Sequence, residues 1–178
     1  MISYDHLFHL ADLCGFTRRE KLDPGSLRHY DDVRKICETN QCGFYDKYWS
    51  CPPGCGTAAE LKKKISRYSD GIIVQTVGAL QDSFDWEGMQ AAKAVHNESF
   101  RKMRESLSAE GYSFLPINTG GCSLCKECTY PSSSCRHPDK MSVSMSAYGF
   151  DVSRICKSCG IPYNNGPNTV GYIGCFLF

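Results

Sequence analysis

The chain has almost no net charge, no long apolar run and no phosphate-cradling loop, and each absence removes a class of function. Twenty basic and nineteen acidic residues leave a formal charge of +1. That balance provides no electrostatic footprint for nucleic acid or an anionic membrane surface. The most apolar internal run, "GIIVQTVGAL", is interrupted by Gln75 and falls far short of the roughly 20 residues that span a bilayer. The opening "MISYDHLFHLADLCGF" carries Asp5 and His6 early and lacks the basic segment and apolar stretch of a secretion signal. No G-x4-G-K-[ST] loop, G-x-G-x-x-G fingerprint or G-x-S-x-G elbow occurs. The expectation is a soluble cytoplasmic protein with no nucleic-acid or membrane partner.

What is present is cysteine. A length of 178 residues with 42 % apolar composition suffices for one domain with a real core and no covalent staples. Yet the chain holds twelve cysteines, just below the roughly 8–10 % that marks small secreted disulfide scaffolds. In a reducing compartment, clustered cysteines point to metal or redox chemistry.

Helical spacing is expected over residues 3–13 and in "YDDVRKIC". Thr57 and Glu60 form a candidate capping box for a helix with Leu61, Ile65 and Tyr68 inward and Lys62, Lys63 and Lys64 outward. "GIIVQTV" reads as a strand. Asp85 caps a long helix over 86–109, with an apolar stripe of Met89, Ala92, Val95, Met103 and Leu107, ended by Gly111. "YSFLPI" reads as a strand, "MSAYGFDVSRIC" as a helix ended by Gly160, and "TVGYIGCFLF" as a final, buried strand. The alternation predicts a single α/β domain over 1–178, with a small, at least partly parallel sheet flanked by helices and two cysteine-rich loops.

The second loop, "GGCSLCKECTYPSSSCRHP", places Cys122, Cys125, Cys128 and Cys135 in a C-x2-C-x2-C-x6-C pattern. Three cysteines at successive three-residue steps do not pair naturally as disulfides. A four-cysteine zinc site ordinarily uses two separated C-x2-C units. A [4Fe–4S] cube has four iron corners, three of which one such loop can wrap while a more distant cysteine takes the fourth. Iron–sulfur therefore ranks first, zinc second and disulfide chemistry third. Gly120 and Gly121 allow close backbone approach to a cluster.

The first loop, "CETNQCGFYDKYWSCPPGC", holds Cys37, Cys42, Cys51 and Cys55 as C-x4-C-x8-C-x3-C. Tyr45, Tyr48 and Trp49 are candidates to shield a cluster, and Lys47 to favour its reduced form, set against ordinary core and solvated roles. Cys14 and Cys175 read as core, and Cys156 and Cys159 as thiols on an apolar face rather than a working dithiol. His137, two positions after Cys135, is a candidate ligand, with a supporting or solvent-facing role favoured over ligation. Arg34 and Arg136 are candidate partners of cluster sulfides or of an anionic substrate, with surface roles equally open.

"CETNQCGFYDKYWSCPP", "GGCSLCKECTYPSSSCRHP", "SMSAYGFDV" and "GPNTVGYIG", in that order, resemble the cysteine-rich "predicted metal-binding protein" family of bacteria and archaea, a domain family of unknown function. The resemblance runs from about Cys37 to the C-terminus. It implies metal or iron–sulfur binding through Cys37, Cys42, Cys51, Cys122, Cys125, Cys128 and Cys135, and it implies no reaction. Cys55, Cys156 and Cys159 lie outside that pattern, so the first cluster is expected to be held by Cys37, Cys42 and Cys51, with Cys55 nearby but dispensable. If it does not ligate, one iron of the first cluster stays open for sulfur or small-molecule chemistry. If it does, two closed clusters serve electron transfer with a redox partner protein. A zinc-stabilised binding module is the third reading. Catalytic residues are not assigned.

Overall fold

The structure, a computed structural model, describes residues 3–178. Its centre is a five-stranded sheet in the order β1-β2-β5-β3-β4. The strands are β1 (Arg18–Lys21), β2 (Gly71–Ala79), β3 (Leu115–Asn118), β4 (Val143–Ser144) and β5 (Thr169–Leu177). The helices are α1 (Tyr4–Cys14), α2 (Asp31–Ile36), α3 (Ala58–Ile65), α4 (Trp86–Ala109) and α5 (Val152–Ser158).

The sheet is partly parallel, as expected, through the single pair β3–β4. The β1–β2, β2–β5 and β3–β5 ladders are antiparallel. Parallel neighbours require a long crossover, because a tight turn cannot return the chain to the same end of the sheet. Here the crossover is the segment 119–142 between β3 and β4, which is the second cysteine loop.

Alternation along β2 divides the core. Ile72 and Val74 face Leu7, Leu10, Phe100, Met103 and Leu107 from α1 and α4. Ile73 faces the other way, toward Leu61 and Ile65 of α3, Tyr148, Phe150, and Ile155 of α5. Cys55 belongs to this second core, so the first cysteine loop is continuous with it.

Local signals act as the sequence predicts at several points. Asp85 accepts the Gly88 N–H at 2.8 Å and caps α4. Thr57 and Glu60 form the reciprocal capping box of α3. Gly111 takes a φ of +80° behind α4. Three expectations change. Val95 is 55 % exposed and lies outside the apolar stripe. "YSFLPI" pairs only from Leu115 onward. The helix expected across "MSAYGFDVSRIC" exists only from Val152. Before it, the Val143–Ser144 strand and a turn intervene, because Gly149 sits at φ +73° with its Cα against the Tyr30 backbone. No helix of the described residues is long and apolar enough to cross a membrane.

Candidate metal centre

In the first loop, Cys51 and Cys55 are each 6 % exposed, Cys37 is half-buried and Cys42 exposed. Burial pushes the Cys51 thiol up to about 11, and nearby charge on Cys42, Cys55 and Cys37 adds to the shift. Cys37 is raised in the same way, by burial first and then by Cys42, with Cys55 also contributing. The fold thus brings Cys37 and Cys51 each within charge–charge range of the loop's other three cysteines. Burial also raises Cys55, against the opposing pull of Arg34.

Arg34 acts as a brace. Its guanidinium donates to the Gly56 carbonyl at 2.5 Å and to the Ala147 carbonyl. It therefore joins α2, the end of the first loop and the turn before α5. The sequence left its role open between the cysteines and the surface. The structure sets it beside Cys55.

In the second loop, Cys122, Cys125, Cys128 and Cys135 are all half-buried. All four line one small pocket. Burial raises Cys122, the nearby Leu124 backbone N–H opposes the shift, and Cys135, Cys125 and Cys128 raise it further. The His137 N–H donates to Cys135 Sγ at 3.4 Å. Backbone N–H groups directed at thiolate sulfur stabilise the deprotonated, metal-binding form. The His137 backbone, rather than its ring, makes that contact.

The two loops interlock. Trp49 Nε1 donates to the Ser133 carbonyl at 3.0 Å, and Tyr130 donates its hydroxyl to Asp46 at 2.8 Å. The Trp49 and Tyr130 rings meet edge to face with centroids 4.9 Å apart. Tyr48 and Trp49, open in sequence between shielding a cluster and ordinary packing, line the pocket of the second quartet. Lys47 is exposed. Gly121 presses on Phe44, where a Cβ would meet the ring at 2.7 Å, so this glycine serves loop-to-loop packing.

Ser50 joins the two quartets and carried no signal in the sequence. It is fully buried. Its Oγ accepts the Cys122 N–H at 3.0 Å and stands 3.8 Å from Cys51 Sγ. Cys14 and Cys175 are buried in the cores. Cys156 is fully buried, and Cys159 packs half-buried against the same core. Among the described residues, no three His, Cys, Asp or Glu side chains are gathered tightly enough to hold a single metal ion.

A family model described as "Predicted metal-binding protein (DUF2284)" matches residues 20–178. No curated protein and no solved structure matches the chain.

Proposed function

This chain belongs to the predicted metal-binding protein family, and from that premise we propose that it is an iron–sulfur protein in which each cysteine quartet holds a [4Fe–4S] cluster. The proposed role is electron transfer with a partner protein in a reducing cytoplasm. The observation that carries this reading is the pairing of two complete four-thiol sets, the second lining a single pocket. The C-x2-C-x2-C-x6-C spacing of the second set suits a four-iron cube, ligated at separate irons, better than the two separated C-x2-C units of a zinc site. The backbone N–H donor to the Cys135 sulfur favours the thiolate form a cluster requires. Bound in these loops, such clusters supply one-electron redox chemistry.

Cys55 is taken as the fourth ligand of the first set, because it is buried beside Cys37 and Cys51 and faces the Arg34 guanidinium. Both clusters are then closed, which favours electron transfer over chemistry at an open iron. Lys63, Lys64 and Arg67 rim the cleft beside Cys55, so the proposed partner surface is acidic.

The test is anaerobic purification with iron, zinc and acid-labile sulfide analysis. Iron and sulfide in equal amounts, with a brown colour that bleaches on reduction, are expected. Stoichiometric zinc without sulfide overturns the proposal in favour of a zinc-stabilised module. Full iron content in Cys55→Ser, with a spectrum that responds to added thiolate or cyanide, would instead support an enzyme with an open iron.

A further inference from the structure

We propose that the cleft between α4 and the start of the second cysteine loop binds a small organic oxyanion, with Arg104 as its anchor. The cleft has a volume of about 390 Å³, and its walls include Phe100, Arg104, Asn118, Cys122, Leu124 and Lys140.

Arg104 is the anomaly that points to a ligand. It is only 8 % exposed, and a buried guanidinium ordinarily has a carboxylate partner. Among the described residues Arg104 has none. Its hydrogen bond to the protein runs from Nη1 to the Lys140 carbonyl at 2.7 Å. The nearby helical carboxylates are engaged elsewhere: Glu98 and Glu105 hold Arg101 at 2.6 Å and 2.5 Å. Asp139 lines a second cleft that Arg104 also borders, and it forms no ion pair with Arg104. Burial opposes the charge on Arg104, yet a guanidinium stays protonated in proteins. Glu105 and Cys122 favour its charge without pairing with it, and the guanidinium donors that make no protein hydrogen bond can take an anion from solution.

The chemistry of the walls sets the ligand class. The planar fork of an arginine matches the two oxygens of a carboxylate or phosphate. Lys140 and Arg101 add positive charge and Glu98 one negative charge at the walls, while Leu124 offers apolar surface for an organic body. Cys122 and Leu124 line both this cleft and the thiol pocket, so the ligand would lie directly beside the second quartet. The inference goes beyond electron transfer.

The experiment is calorimetric titration of the anaerobically purified protein with benzoate, phenyl phosphate and, as a cationic control, benzylamine. Saturable binding of at least one aromatic anion and none of benzylamine is expected, and the tighter of the two anions identifies the head group. Arg104→Gln should weaken binding about tenfold or more. Because Arg104 also holds the Lys140 carbonyl, a second variant is needed. Ala94 lies exposed at the cleft wall, so Ala94→Phe should narrow the cleft and weaken binding with unchanged melting. No binding of either anion, or binding unaltered in both variants, overturns the proposal. Iron, zinc and sulfide measured on the same samples report on the cluster reading separately.

Discussion

Cys51 and Cys55 are each 6 % exposed, and Cys55 lies in the same core as Leu61 and Tyr148. By contrast, all four cysteines of the second loop are half-buried and none belongs to either core. The first loop is therefore built into the fold, with Arg34 tying it to α2 and to the chain before α5. The second leaves the sheet at β3, returns at β4, and leans on the first through Ser50, Trp49 and Asp46. The dependence runs mainly one way. Disturbing the first loop should disturb the second, whereas the reverse should be weaker. The exposed partner in this arrangement is also the one beside the anion cleft, where a ligand can reach it.

Metal removal is the strongest way to break this comparison. Structural metal sites in small domains contribute on the order of 10 kcal/mol to folding. After chelation, amide exchange followed by mass spectrometry should show 119–142 losing nearly all protection. Segment 51–55 should keep part of it, and β2 and β5 should stay protected. Equal collapse of both loops would mean that the core contributes nothing to holding the first.

Acid should sharpen the difference. His96 is fully buried, with its ring between Thr76 Oγ1 and Asn118 Oδ1 at 2.9 Å each. Burial pushes its pKa down to about 4. The neutral ring is the stable one in the fold, so stability is full above the ordinary histidine pKa of about 6.5 and is lost as pH falls toward 4. The linkage amounts to about 3 kcal/mol by pH 4. Asn118 is the last residue of β3, at the root of the second loop, so exchange in 119–142 should rise before exchange in 37–55. His96→Gln should flatten the profile of denaturant midpoints between pH 6.5 and 4. An unchanged profile in that variant would place the acid sensitivity elsewhere.

A matched pair of substitutions in metal-depleted protein separates packing from ligation. Cys55→Ala deletes a buried core group and should cost about 1–2 kcal/mol. Cys125→Ala removes a half-buried loop thiol and should stay within about 0.5 kcal/mol. Chemical denaturation measures both. In the metal-loaded protein each should lose one cluster's iron, which tests the ligand roles independently of packing.

Much of this architecture was legible in the chain because its determinants are local. Asp85 and Gly111 mark the ends of α4, and the Thr57–Glu60 box marks the start of α3, through bonds within four residues. The cysteine spacing is local in the same sense. What could not be read depends on distant partners. β1 is mostly exposed and polar, and it is a strand because β2 offers its edge. Residues 145–150 have helical spacing but turn, since Gly149 must approach Tyr30 more than a hundred positions earlier. Ser50 is an unremarkable residue in sequence, and only the folding of one loop onto the other makes it the link between the quartets. Arg104 looks like any helical arginine until its neighbours pair with Arg101 instead.

The smallest effect concerns the seam itself. Trp49 Nε1 donates to the Ser133 carbonyl, and the Trp49 ring packs edge-on against Tyr130. Trp49→Phe keeps an aromatic ring and removes the donor, so it should cost about 1 kcal/mol, the usual net value of one hydrogen bond. The location of that loss is the informative part. If the second loop leans on the first, exchange should quicken around Ser133 and along 122–135, while Cys51 and Cys55, held by the core and by Arg34, stay protected. The second quartet should also become more accessible to a thiol reagent in metal-depleted protein, because Trp49 lines its pocket. Faster labelling of Cys51 and Cys55, with Cys122 to Cys135 unchanged, would reverse the dependence and make the second loop the support of the first.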